Sequence, residues 1–131
     1  MFNTENYVSD SGLFKMQCET INTIADQGSA IIVGRCADYV LREHENIVSV
    51  FLTSPVEVRA ERVMSRDGLS YDEAIAKIEK KDKSREAYYN YFTFGNWGVA
   101  STYDLCLDSS ILGIEGTADL IIDFITKREN A

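Results

Sequence analysis

The sequence contains little cysteine, histidine or proline: three cysteines, one histidine and one proline in 131 residues. Cys18, Cys36 and Cys106 are odd in number and widely spaced, which fits neither a disulfide framework nor a metal site. We expect them to be small buried hydrophobic residues in a reducing cytoplasm. The single histidine, His44, lies in a polar turn without a second histidine, so we assign it no chemistry.

Long apolar runs are also absent. None approaches the roughly 20 residues that a membrane span requires, and the N-terminus lacks the basic region and apolar core of a signal peptide. The net charge of −8 argues against a protein that binds nucleic acid through its general field. With 45% hydrophobic and 26% charged residues, the composition is that of a soluble globular protein. We therefore expect one cytoplasmic domain, residues 1–131, without membrane or nucleic-acid partners.

What the chain does contain is an alternation of strand and helix patterns. Three short runs, residues 30–33, 47–52 and 103–108, are predicted strands. Helical spacing and capping residues predict helices around them. The first helix is predicted from Ser9 or Asp10 to Gly28 and the second from about 36 to 42. Two more begin after Pro55 and after the capping box that starts at Ser70, and the last includes residues 114–125. Residues 1–10 are predicted to be an irregular lead-in. The alternation predicts an α/β fold whose parallel sheet carries helices on both faces.

The first predicted strand leads directly into Gly34-Arg35. Ligands of open α/β sheets bind beyond the carboxyl ends of the strands, and a glycine allows the backbone to turn sharply there. Arg35 is therefore a candidate anion-binding residue. The alternative is an ordinary surface arginine that follows a strand.

A second candidate site is a concentration of cations within this acidic chain. Eight of the thirteen basic residues lie between Arg59 and Arg85, and Arg59, Arg62 and Arg66 share a helical face. Arginine forks suit phosphate groups, and converging arginines fit phosphoryl transfer. A solvated helical face is the alternative. For the aromatic residues from Tyr88 to Trp97, we favour packing over base stacking.

The order of several short motifs resembles the cytidylate kinase family, in particular the branch of bacterial cytidylate kinase-like proteins. The motifs are Gly34-Arg35, Thr53-Ser54-Pro55, Arg59-x-x-Arg62, Asp82-x-x-Arg85, Tyr88-Tyr89-Asn90-Tyr91 and Leu107-Asp108-Ser109-Ser110. The resemblance extends from about Gly12 to the last helix. It implies a three-layer P-loop kinase-like fold and transfer of the ATP γ-phosphate to CMP or dCMP with Mg²⁺.

The resemblance also implies roles for individual residues. The substrate-binding residues would be Gly34, Arg35 and Asp38, although two residues separate Arg35 from Asp38 where the family has none. The catalytic residues would be Arg85, Asp82 and Arg62. Further phosphate contacts would come from Arg59, Arg66 and Lys81, within or beside a lid-like segment at about 66–98.

The chain departs from the family pattern in its glycines. The family begins with a strand, a glycine-rich phosphate loop and a helix, but none of the eight glycines here forms such a loop. Three interpretations follow: a shortened kinase, a protein that binds a nucleotide or partner without catalysis, or a purely structural protein with solvated arginines. We expect negligible turnover by this chain alone, and self-association through exposed sheet edges and apolar faces.

Overall fold

The computed structural model describes the backbone of residues 4–131 and the side chains from Ser11 onward. Five α-helices and two strands occur in this range, with a short 3₁₀ turn at Ala100–Thr102 and a kink in the last helix at Gly113, where φ is 74°. In chain order they are α1 (Thr4–Gln27), α2 (Ala37–Val40), β1 (Val50–Thr53), α3 (Val56–Asp67), α4 (Tyr71–Thr93), β2 (Leu105–Asp108) and α5 (Ser109–Glu129). The predicted α/β class is confirmed. None of the helices described is both long enough and apolar enough to cross a membrane.

β1 and β2 form a two-stranded parallel sheet in which Val50 pairs with Leu105 and Thr53 with Asp108. The register is fixed at its start, where the Ser49 amide donates to Asp104 Oδ2 at 2.8 Å and the Asp104 amide donates to Ser49 Oγ at 3.0 Å. The Asp104 amide also donates to the Ser49 carbonyl at 3.0 Å, so backbone and side-chain hydrogen bonds together hold the start of the pairing. At the other end Asp108 accepts from the Ser110 amide at 2.9 Å and caps α5.

The chain forms two compact units. The first unit contains the residues up to Ile47 together with Glu86–Trp97, and the second contains Val48–Arg85 and Gly98–Ala131. The first unit has an aromatic core cluster, in which Phe14 stacks on Phe92 with ring centroids 4.4 Å apart beside the buried residues Cys36 and Tyr89, and a second, aliphatic cluster around Ile21 and Leu41. The predicted packing role of the aromatic run is therefore confirmed for Tyr89 and Phe92.

The second unit has a small core between α3 and α4. Ala60 and Ala74 are 0% exposed and cluster with buried Ile78. The turn between the helices follows the predicted end signals: Gly68 ends α3 in the left-handed region at φ 67°, where glycine carries no steric penalty. The predicted capping box is also formed, with the Ser70 amide donating to Glu73 Oε1 at 3.0 Å and the Glu73 amide donating to Ser70 Oγ at 3.2 Å.

The prediction of a buried strand at residues 30–33 is wrong for this structure. Ile31 and Val33 are 96% and 86% exposed, and no strand pairs with these residues within the part of the chain that the structure describes. The segment has the composition of a central strand, but a strand exists only where another strand supplies hydrogen-bond partners.

Smaller differences concern boundaries and burial. α1 begins at Thr4, so the expected irregular lead-in is wrong from residue 4 onward, while residues 1–3 lie outside the described range. Both strands are shorter than predicted. Of the three cysteines expected to be buried, only Cys36 is; Cys18 is half-buried and Cys106 is exposed. The single domain with a lid-like segment at 66–98 stays a prediction.

Candidate functional site

The turn that carries Arg35 has an uncommon backbone conformation. Gly34, Arg35 and Cys36 have φ values of 69°, 59° and 56°, so three consecutive residues occupy the left-handed region. Glycine tolerates this region, but each side-chain-bearing residue there costs about 1–2 kcal/mol. The Ala37 amide donates to the Gly34 carbonyl at 3.1 Å, closing the turn. The sharp turn expected at Gly34 is confirmed, and it continues for two further residues.

Packing and one side-chain hydrogen bond hold the residues that follow the turn. Cys36 is buried in the aromatic core of the first unit, and burial raises the pKa of its thiol to about 11. Asp38, half-buried in α2, accepts a hydrogen bond at Oδ2 from the Tyr89 hydroxyl at 2.8 Å. Asp38 is therefore joined to α4 rather than left free in solvent.

Arg35 itself is exposed. Its side chain has no hydrogen bond or ion pair with any residue in the described part of the chain. A guanidinium that is held at a strained turn and left unpaired can offer its planar donor fork to an anion such as phosphate.

Three of the predicted catalytic and phosphate-contact residues come together in the second unit. Arg59 forms a bidentate pair with Asp82, at 2.7 Å and 2.9 Å, and Arg85 donates to Asp82 Oδ1 at 2.9 Å. The hydrogen bonds from Arg59, supported by Arg85, hold the pKa of the Asp82 carboxyl below its ordinary value. One carboxylate thus fixes two guanidinium groups, and the trio leaves a net positive charge for an anion.

The remaining predicted cations do not join this trio. Arg66 pairs with Asp67 at 2.9 Å, and Lys77 reaches the same carboxylate at 2.8 Å. Together they lower the pKa of Asp67. Arg62 and Lys81 are exposed, and neither side chain pairs with a residue that the structure describes.

Acid is expected to destabilise the fold through Asp82. A carboxyl whose pKa is lower in the folded state contributes stability above its unfolded pKa, about 4, and loses this contribution as the pH falls through the folded value. Urea midpoints should therefore change little between pH 7 and 5 and fall below about pH 4. Asp82→Asn should reduce this fall, whereas Asp119→Asn, an exposed change on α5, should leave it intact. Equal acid slopes in the two variants would contradict the role of Asp82.

Sequence reasoning did not single out Tyr89 as a site residue. Its partner, Asp38, is 51 residues away in sequence, and no local pattern indicates that pairing. The only available signal was its place in an aromatic run, which predicts packing and not a specific acceptor. A shallow groove of about 590 Å³ in the first unit was also not predicted; Phe14, Lys15, Tyr91 and Phe94 line part of it.

Comparison with known proteins relates the chain to nucleotide kinases. The sequence profile of the cytidylate kinase-like family matches residues 1–111. A cytidylate kinase of Sulfolobus acidocaldarius is 32% identical over 115 residues, which are 87% of this chain and 62% of that protein. A cytidylate kinase of Pyrobaculum calidifontis is 32% identical over 82% of this chain and 58% of its own length. The chain thus spans about three-fifths of these curated relatives.

The similarity extends to three-dimensional structure. The crystal structure of an uncharacterized protein from Eubacterium ventriosum superposes with a TM-score of 0.85 at 31% identity, over 89% of this chain and 74% of that one. The resemblance to the cytidylate kinase-like family is confirmed, but the two curated relatives are archaeal and not bacterial as the motifs suggested.

Proposed function

The chain belongs to the cytidylate kinase-like family, and from this premise we propose that its first unit binds the phosphate of a nucleoside monophosphate, CMP or dCMP, through Arg35. The family reaction would be transfer of the ATP γ-phosphate to this nucleotide. The observation that carries the proposal is the Arg35 side chain itself, exposed and unpaired on a turn of three left-handed residues. Strained backbone of this kind concentrates at ligand-binding positions.

The second unit, taken by itself, has a separate group of cations for which the family resemblance implies contacts with transferred phosphate. Arg85 and Arg59 would contact phosphate oxygens, and Asp82 would hold both guanidinium groups in place. Catalysis of phosphoryl transfer consists mainly of such positioning and charge stabilisation. Arg62, Arg66 and Lys81 would add further positive charge, with Arg66 partly neutralised by Asp67.

The residues present do not fit Mg²⁺ and ATP in the way that they fit a monophosphate. The sequence has no glycine-rich phosphate loop, whose backbone amides would hold the phosphates of ATP and whose Ser or Thr hydroxyl would contact Mg²⁺. We therefore assign no residue to the triphosphate or its metal, and expect the chain alone to form CDP from ATP and CMP negligibly.

A second candidate function is a non-catalytic module that associates with a further copy of itself. The observation that favours it is the solvent exposure of apolar side chains that would be buried in a complete α/β sheet. Ile31 and Val33 are almost fully exposed, and Leu52 of β1 and Ile111 of α5 are also exposed. Two-stranded sheets are marginal alone, so association would bury both apolar surface and strand edges.

Thermal unfolding of the 131-residue chain, with CMP and separately with Mg-ATP, tests the proposed function. A ligand that binds only the folded state stabilises it by about 2.7 kcal/mol at one hundred times its dissociation constant. We expect CMP to raise the melting temperature and Mg-ATP to leave it unchanged.

The same samples distinguish the second candidate when their molar mass is measured by light scattering. Oligomers that form without any shift by CMP would support the self-associating module and overturn the nucleotide proposal. A monomer that CMP stabilises would do the opposite.

A further inference from the structure

Tyr89 is a buried residue whose hydroxyl forms a hydrogen bond outside its own helix. It lies near the end of α4, is 7% exposed, and belongs to the buried cluster that also contains Phe14 and Cys36. Packing alone would be satisfied by phenylalanine at this position. The hydroxyl instead donates to Asp38 Oδ2 at 2.8 Å, so it ties α4 to the short helix α2 within the first unit.

This hydrogen bond lies beside the strained turn. Asp38 stands three residues after Arg35, and α2 begins immediately after the left-handed residue Cys36. The Cys36 carbonyl accepts from the amides of Tyr39 and Val40, at 3.0 Å and 2.9 Å. Whatever fixes α2 therefore also fixes the direction in which the chain leaves the turn.

The turn needs such a restraint because Arg35 contributes none of its own. Its side chain is exposed and forms no hydrogen bond or ion pair with the residues described. Arg35 and Cys36 occupy a backbone region that side-chain-bearing residues leave unless their surroundings hold them. Two interactions restrain Cys36 and α2. They are the burial of Cys36 in the aromatic cluster and the hydrogen bond from the Tyr89 hydroxyl to Asp38.

We propose that Tyr89 is a positioning residue for the phosphate site: its hydroxyl holds Asp38 and α2, and thereby maintains the turn that presents Arg35. The inference rests on the proposed function, since it gives Tyr89 a role in the same monophosphate site. In this arrangement Asp38 accepts the hydrogen bond from the Tyr89 hydroxyl, and the phosphate binds Arg35.

Tyr89→Phe tests the inference because it removes the hydroxyl and keeps the ring. Tyr88→Phe is the matched control: Tyr88 is the preceding residue of α4, and its hydroxyl donates to Gln17 Oε1, on α1, at 3.1 Å. Calorimetric titration with CMP should show a dissociation constant about three- to ten-fold higher in Tyr89→Phe, the range that loss of one hydrogen bond produces. Tyr88→Phe should bind CMP as the unmodified chain does, and Tyr89→Phe should bind cytidine, which has no phosphate, unchanged. Equal losses in the two variants, or an equal loss for cytidine, would overturn the role.

A double-mutant cycle with Arg35→Ala separates positioning from general destabilisation. If Tyr89 acts through Arg35, Tyr89→Phe should have no further effect on CMP affinity once Arg35 is absent. Additive losses would show that the hydroxyl acts elsewhere and would overturn the inference.

Amide hydrogen exchange distinguishes failure of this inference from failure of the proposed function. If the unmodified chain does not bind CMP, the proposed function fails, but exchange at residues 34–38 still reports the turn. Faster exchange there in Tyr89→Phe than in Tyr88→Phe would support the restraint. Equal exchange would overturn it whether or not CMP binds.

Discussion

Arg35→Ala is expected to weaken CMP binding by roughly 10- to 150-fold, because a hydrogen bond to a charged group contributes about 1.5–3 kcal/mol. The side chain is exposed and has no ion pair among the described residues, so its removal leaves no buried partner uncompensated. Alanine also tolerates the left-handed region no worse than arginine does. The loss should therefore appear in affinity, measured by calorimetric titration, and not in the urea midpoint.

Arg42→Ala is the matched control for this variant. Arg42 is in the same unit, but its guanidinium lies 3.9 Å from the centre of the Tyr39 ring and donates to the Tyr39 carbonyl at 2.7 Å. Its charge is thus already engaged, and its removal should leave CMP affinity unchanged. Affinities reduced equally by both variants would indicate attraction by net charge alone, and an unchanged affinity in Arg35→Ala would contradict the proposed phosphate site.

Ala74→Leu is expected to lower the free energy of unfolding by about 1–3 kcal/mol, the usual cost of adding side-chain volume to a filled core. Ala74 and Ala60 are 0% exposed, and together with Ile78 they form the buried cluster between α3 and α4. There is no free volume for an isobutyl group, so the helices would have to move apart. Urea unfolding followed by circular dichroism measures the effect.

Ala76→Leu provides the comparison on the same helix. Ala76 is exposed and only two residues away, and leucine is almost as good a helix former as alanine. This variant should unfold at nearly the same urea concentration as the unmodified chain. If the two variants lost equal stability, the α3–α4 contact would not be the tightly packed core described.

Several local signals in the sequence predicted the structure correctly, although the helix start expected at Ser9 or Asp10 did not, since α1 begins at Thr4. Gly68 ends α3, the Ser70–Glu73 capping box begins α4, and Gly34 opens a sharp turn. Each of these features joins residues no more than four positions apart, so residue type and spacing determine it. The parallel pairing of β1 with β2 was also foreseen, because strands that alternate with helices favour it.

Features that depend on distant partners were decided by the tertiary structure. Residues 30–33 have the sequence of a strand, yet Ile31 and Val33 lie exposed because no described strand pairs with them. Asp82 was identified from its motif, but only the fold shows one carboxylate holding Arg59 and Arg85 together. The bond between Tyr89 and Asp38 had no sequence signal. Periodicity and capping report the preferences of neighbouring residues, whereas these contacts require segments 23 and 51 residues apart in sequence to meet in space.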